Sequence, residues 1–335
     1  MPPASALLGL TSLELTFKPD EVYRVPTDDG ANVALGRYQP RGVRRFEEPV
    51  LLVHGLGANR FNMDFDERYS LARYLARRGF ETWVLELRGR GLAGACGDFN
   101  FDDQAEFDLR TAFRTILSTG ATALTFVGHS KGGLALYAHL AMNPDAPVKA
   151  AVALGSPFTF SVQPGLRRFI QTVEPLLRLK AIPISRVRSL AGLGPPPGPL
   201  SRYLALASNM DAEVAKKAMY NLSSDISRGV AQQFAGWIRS GNFDSADGKT
   251  DYRKLLAGVK TPFLLLAGSR DLIAPPMSVA RAQQFLGGPV KLVIAGRGHG
   301  FAEDYGHGDI VLGRKAPDEI FPVVESFLAG NSTPT

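Results

Sequence analysis

The chain has 335 residues, 45% of them hydrophobic and 21% charged. That is enough to bury a full core in one large domain or a domain with a sizeable insertion, and it excludes a disordered or fibrous chain. A balance of 38 Lys and Arg against 32 Asp and Glu gives a net charge of +6, but the basic residues are scattered, which reads as solvated surface and not as a nucleic-acid footprint.

The single Cys96 leaves no internal disulfide framework. No run reaches the roughly 18 uninterrupted apolar residues of a membrane span. Met1–Leu10 lacks the basic n-region of a secretory signal, so a cytoplasmic protein without membrane insertion is the expectation.

In chain order, Ser12–Phe17, Glu21–Val25 and Asn32–Tyr38 read as short strands, the last two joined through an Asp28-Asp29-Gly30 turn. Pro49–His54 is a continuous apolar run, the pattern of a strand buried on both faces of a parallel sheet. A helical stripe over Asp66–Arg78 closes at Gly79. Glu81–Leu87 is the next strand, Asp102–Leu117 a helix, Ala123–Val127 a strand, Gly132–Ala141 a helix and Val148–Leu154 a strand.

Between Ser156 and Val259 the alternation stops. The segment holds Pro164, Pro175, Pro183 and the run Gly194–Pro199, with amphipathic stretches at Leu166–Leu179, Ala212–Tyr220 and Ser227–Ser240. Its apolar residues, among them Phe169, Phe234 and Trp237, argue for packing against the rest. Alternation then resumes with strand Thr261–Ala267, helix Pro276–Phe285, strand Val290–Ala295 and helix Asp318–Ala329. Repeated β-α-β units predict an α/β fold with a mostly parallel sheet covered by helices on both faces. Residues 1–155 and 260–335 form the expected core, and residues 156–259 an inserted helical cap.

In such a sheet, ligands meet the carboxyl ends of the strands. Three of those ends carry chemistry. Gly128-His-Ser-Lys-Gly132 is a G-x-S-x-G match between a strand and a helix, which lifts Ser130 on a sharp turn. The strand at Leu264–Ala267 delivers Asp271, and the last strand delivers His299. A serine hydroxyl becomes a useful nucleophile only when an imidazole can take its proton, and the imidazole needs a carboxylate to fix its tautomer.

Ser130, Asp271 and His299 arrive in the order expected of a triad. His307, with Glu303 and Asp304, competes within the same last loop; His299 is preferred because it follows its strand after three residues. No compact H-x-x-x-H spacing supports a metal reading of the two histidines, and no cofactor is expected. The oxyanion donors are expected to be the backbone N–H groups of Lys131 and Leu56. His54, His129 and His139 read as structural residues.

Val53-His-Gly-Leu-Gly57, Val127–Gly133, Gly268-Ser-Arg-Asp-Leu-Ile-Ala-Pro275 and Gly296-Arg-Gly-His299 resemble the α/β-hydrolase superfamily. The segment Ser227–Phe243, with its W-x-x-S-G-x-F ending, is similar to the acid-lipase (gastric and lysosomal) branch. The tail His307–Gly313 is similar to relatives of polyhydroxyalkanoate synthases, whose elbow nucleophile is cysteine where this chain has Ser130. The resemblance implies a serine carboxylic-ester hydrolase with a cap over an apolar acyl pocket, and it carries over Ser130, Asp271 and His299 as the triad.

A small or lipid-like ester is the expected substrate, polyester oligomers included. Acyl transfer by the same triad, and non-catalytic ligand binding on the same fold, stay open as alternatives. Oligomeric state is not readable.

Overall fold

The computed structural model describes residues 12–16, 18–160, 181–193 and 207–335. The expected amphipathic stretch Leu166–Leu179 and the Gly194–Pro199 run lie outside the described residues.

The sheet begins with an antiparallel pair, β1 (Glu21–Pro26) and β2 (Asn32–Tyr38). β1 alternates between half-buried and exposed residues, as a strand does at the rim of a sheet. β3 (Val50–Val53) is buried at every position. It is followed by α1 (Leu71–Arg77), which Ser70 caps by accepting from Arg73 N, and by the fully buried β4 (Thr82–Glu86).

A single helical turn at Phe101–Asp103 and a π-helical turn at Gln104–Asp108 lead into α2 (Leu109–Leu117). Next come β5 (Leu124–His129), α3 (Lys131–Met142) and β6 (Val148–Leu154). α3 is buried from Lys131 to Ala141, and its Gly and Ala residues let it lie close against the sheet.

After β6 the chain leaves the main sheet. It forms β7 (Ala181–Ile182), a 3-10 segment at Ile184–Leu193, α4 (Ala212–Leu222), β8 (Ile226–Ser227), α5 (Arg228–Ser240) and α6 (Tyr252–Leu255). β7 and β8 pair antiparallel in a two-stranded sheet of their own, a feature absent from the sequence expectation. The chain rejoins at β9 (Phe263–Gly268) and continues through α7 (Pro276–Ala280), β10 (Val290–Ala295), α8 (Asp309–Leu312) and α9 (Ala316–Asn331).

The order β1-β2-β4-β3-β5-β6-β9-β10 makes an eight-stranded sheet, parallel from β4 to β10. Buried apolar clusters cover both faces. The chain moves from β3 outward to β4 and then back past β3 to β5, so the winding direction reverses between β3 and β5. A crevice outside the carboxyl ends of that pair is where such sheets hold ligands.

The expected strand at Ser12–Phe17 is not formed over the described residues 12–16. Asn221 of α4 takes the place of a partner strand: its Oδ1 accepts from Leu15 N (3.0 Å) and its Nδ2 donates to Leu13 O (2.8 Å). The helix expected over Pro276–Phe285 tightens to a 3-10 turn at Arg281–Gln284.

Candidate active site

Ser130 has φ 53° and ψ −117°, and is the one non-glycine residue with positive φ among the described residues. Such a conformation costs roughly 1–3 kcal/mol and persists only where the surroundings dictate it. Here they do. Ser130 N donates to Leu154 O of β6 (2.8 Å), while Ser130 O accepts from Gly133 N in the first turn of α3 (3.0 Å).

The helix runs so close to the sheet that a Cβ on Gly132 would overlap the Val53 carbonyl oxygen, and one on Gly133 would overlap Ser156 Oγ. Glycine at these positions is what lets the strand turn directly into the helix.

Asp271 lies beyond the end of β9, buried to 2% exposure. Its Oδ1 accepts from Ile273 N (2.8 Å) and Ala274 N (2.7 Å), which fixes the carboxylate as an Asx turn does. Its Oδ2 faces an imidazole, and that imidazole belongs to His307. His307 Nδ1 lies 2.8 Å from Asp271 Oδ2, and His307 Nε2 lies 2.9 Å from Ser130 Oγ. A carboxylate only accepts, so Nδ1 carries the proton and Nε2 is free to receive one from the serine.

The choice of His299 is thereby corrected. His299 is exposed, in a 3-10 turn at Arg297–His299 closed by Gly300 at φ 88°. The cause is topological. β10 lies at the edge of the sheet, one strand beyond β9, so a residue close to its end stands too far out to reach Ser130. The chain must first come back across the end of β9. It does so at Tyr305-Gly306, where Arg270 N donates to Tyr305 O (2.8 Å) and Gly268 makes room for that carbonyl.

Buried Asp309 then holds the returning loop, accepting from Gly306 N (2.9 Å) and from Asn209 Nδ2 (2.8 Å). Asn209 also donates to Asp304 O. Neither Asn209 nor Asp309 was singled out by sequence reasoning. An acid two residues after a glycine-flanked histidine was the available signal.

His129 does more than pack beside the turn. Its Nε2 lies 3.0 Å from His307 O, and its Nδ1 lies 2.9 Å from Asn62 Oδ1, which also accepts from Gly55 N (3.1 Å). Burial pushes the His129 pKa down to about 3, so the ring is neutral and its single N–H can donate to only one of these two oxygens. The ring thus sits between the His307 backbone and the loop after β3. His54 is likewise held near a pKa of 3 by burial, its Nδ1 2.9 Å from Gly55 O. His139 bonds Ala105 O (2.8 Å), away from the serine.

Lys131 is the first residue of α3, so its N–H has no intrahelical acceptor. Gly55 sits against Ser130: a Cβ there would be 3.3 Å from Ser130 Cβ. Leu56 follows it, and a narrow cleft is lined by both Leu56 and Lys131.

Residues from the β6–β9 excursion cover this loop. Ser224 N donates to Gly57 O (2.9 Å), Asn59 Nδ2 donates to Asn221 O (2.6 Å), and Ile184 and Ile226 lie over Gly57. α5 is seated on the helical turn at Phe101, where Gln233 Oε1 accepts from Phe101 N (3.0 Å) and Trp237 packs edge-on to the Phe101 ring at 4.9 Å.

The model of the alpha/beta hydrolase fold family matches residues 48–304, well over half of the chain. The chain belongs to the α/β-hydrolase family. Among curated proteins this α/β-hydrolase is similar to Caenorhabditis elegans lipase lipl-3, 31% identical over 141 residues that make up 36% of this chain and 34% of that one. It is also similar to Saccharomyces cerevisiae sterol esterase 2, 30% identical over 128 residues, 33% of this chain and 24% of that one. The matches thus span about a third or less of those relatives' own length.

Among solved structures, an esterase from Exiguobacterium antarcticum superposes with a TM-score of 0.65 at 17% identity, covering 93% of this chain and 99% of that one. An esterase from Thermogutta terrifontis does so with a TM-score of 0.65 at 19% identity, over 93% and 100%. No helix of the described residues is long and apolar enough to cross a membrane.

Proposed function

We propose that this α/β-hydrolase is a serine carboxylic-ester hydrolase of the carboxylesterase or lipase type, with Ser130 as nucleophile, His307 as base and acid, and Asp271 orienting the imidazole. One observation carries the reading. A single imidazole meets the hydroxyl of a strained, buried serine with one nitrogen and a buried carboxylate with the other.

In the first half-reaction Ser130 Oγ attacks the ester carbonyl carbon as its proton passes to His307 Nε2. The carbonyl oxygen becomes an oxyanion facing the N–H groups of Leu56 and Lys131, donors of a kind worth about 10²–10³ in rate each. Asp271 stabilises the imidazolium through Nδ1–H. Collapse of the tetrahedral species breaks the C–O bond, and the alcohol leaves with the proton from Nε2. Water then attacks the acyl-enzyme, giving its proton to the same nitrogen, and the carboxylic acid leaves as Ser130 recovers its hydrogen.

The excursion between β6 and β9 acts as a cap. Ile184, Ile226, Val230 and Phe99 supply apolar walls near the loop that holds Leu56, which suits an acyl chain. Similarity to proteins named as lipases and a sterol esterase supports the same substrate class.

Ser130→Ala should lower kcat for p-nitrophenyl butyrate by roughly 10³- to 10⁶-fold and abolish labelling by a fluorophosphonate probe, with the circular dichroism spectrum unchanged. Wild-type turnover in that variant would sink the assignment.

A further inference from the structure

The loop after β4 reads Arg88-Gly-Arg-Gly91, and its two arginines meet different fates. Arg88 is buried and matched at all three of its nitrogens: its Nη1 and Nη2 donate to Asp29 (2.5 and 2.9 Å) and its Nε donates to Asp108 (2.7 Å). Arg90 is half-buried, and among the described residues no side chain or backbone oxygen accepts from its guanidinium, nor does a carboxylate lie within ion-pair distance. It lines the cleft that also holds Leu56, Gly57 and Lys131.

Lys131, buried to 4% exposure, donates from Nζ to Gln104 Oε1 (2.6 Å), a neutral acceptor. An ammonium has three N–H donors, and this bond uses one. Asp108, whose charge acts on Lys131, is engaged by Arg88. Burial and the Arg90 charge hold the Lys131 pKa down at about 7, partly offset by Asp108.

Among the described residues, the negative groups facing Arg90 are Asp225 and Glu86. Asp225 lines the cleft, with Oδ1 accepting from Ser185 N (2.8 Å). Glu86 accepts from Arg60 N (3.2 Å), and burial pushes its pKa up to about 7. Among the described residues, Arg90 and Lys131 thus share the cleft with Asp225 and neither has an ion pair of its own, beside the backbone that receives the ester carbonyl. The same loop pairs Arg88 with two carboxylates, so the missing ion pair at Arg90 is a property of the cleft side of the loop.

We propose that Arg90, with Lys131, forms an anion subsite that takes a free carboxylate carried by the ester substrate. This rests on the esterase reading, and it narrows the substrate class to half-esters and hydroxy-acid esters that keep one carboxylate near the scissile bond. The carboxylate belongs either to the acyl group or to the alcohol.

The test uses two matched pairs: mono-p-nitrophenyl glutarate against p-nitrophenyl valerate, and 4-carboxyphenyl butyrate against phenyl butyrate. In the pair whose geometry fits, wild-type kcat/KM should favour the anionic ester by on the order of 10- to 100-fold, as expected for charge-assisted hydrogen bonds. Arg90→Gln should collapse that ratio, mainly through KM, and Arg90→Lys should restore part of it. Asp225→Asn, which removes the competing carboxylate, should raise the ratio several-fold, so the idea stays exposed even if Arg90→Gln fails to fold.

Neutral esters turned over with ratios unaffected by Arg90→Gln or by Asp225→Asn would overturn the subsite alone. A wild-type protein that turns over none of the four esters and takes no fluorophosphonate would overturn the esterase reading and the subsite with it.

Discussion

The turn at Ser130 and the excursion between β6 and β9 solve opposite problems. Around Ser130 backbone meets backbone: Gly132 lies against the Val53 carbonyl, Gly133 against Ser156, and α3 is buried from Lys131 to Ala141. In the excursion, contacts run through side chains. α5 is held by Gln233, Trp237 and a cluster of phenylalanines, whereas Leu190 and Leu193 of the 3-10 segment are 52% and 84% exposed. Backbone packing leaves no freedom, which is what a strained nucleophile needs. Side-chain packing tolerates substitution, which is what a wall facing different substrates needs.

The largest effect should come from the imidazole that joins the rigid region to its acid. His307→Ala should lower kcat by roughly 10³- to 10⁶-fold, because the serine loses its base. His299→Ala should change kcat/KM by less than about two-fold, since that ring stands in an exposed turn. Steady-state kinetics on p-nitrophenyl butyrate decides it, and the reverse ranking would restore His299.

Next comes Gly132→Ala, whose Cβ would overlap the Val53 carbonyl oxygen. The obstacle is the backbone of a central strand, with no rotamer to move aside. The variant should lose on the order of 2–4 kcal/mol of stability, read from the urea midpoint, or fail to fold. A wild-type midpoint would mean that α3 does not sit this close to β3.

How far the sequence spoke follows the same division. β3, β5, β6 and β9 were legible because strands buried on both faces carry near-continuous apolar runs, and Ser130 and Asp271 were legible because each stands just past such a run. His307 was visible but not chosen. Counting residues from the end of β10 ignores that β10 is the edge strand, and that the chain must return over Gly268 before an imidazole can face Asp271.

The tie from Asn209 to Asp309 spans 100 positions, and no local pattern announces it. The strand not formed over the described residues 12–16 has a related cause: the backbone of Leu13 and Leu15 bonds an asparagine side chain some two hundred residues away, which β propensity cannot register.

The smallest expected effect reverses the sign of the Gly132 result. Gly236 lies inside α5, with ordinary helical φ, and a Cβ built on it would meet nothing within 4 Å. There the glycine contributes no close approach and only raises the entropy of the unfolded chain. Gly236→Ala should stabilise the protein by about 0.5–1 kcal/mol, seen as a higher urea midpoint with an unchanged slope. Its kcat on short neutral esters should stay near wild type, because the substitution adds one methyl group in open space. If Gly236→Ala instead destabilised the fold as Gly132→Ala is expected to, α5 would be packed as tightly as α3, and the contrast between a backbone-locked turn and a side-chain-held wall would be lost.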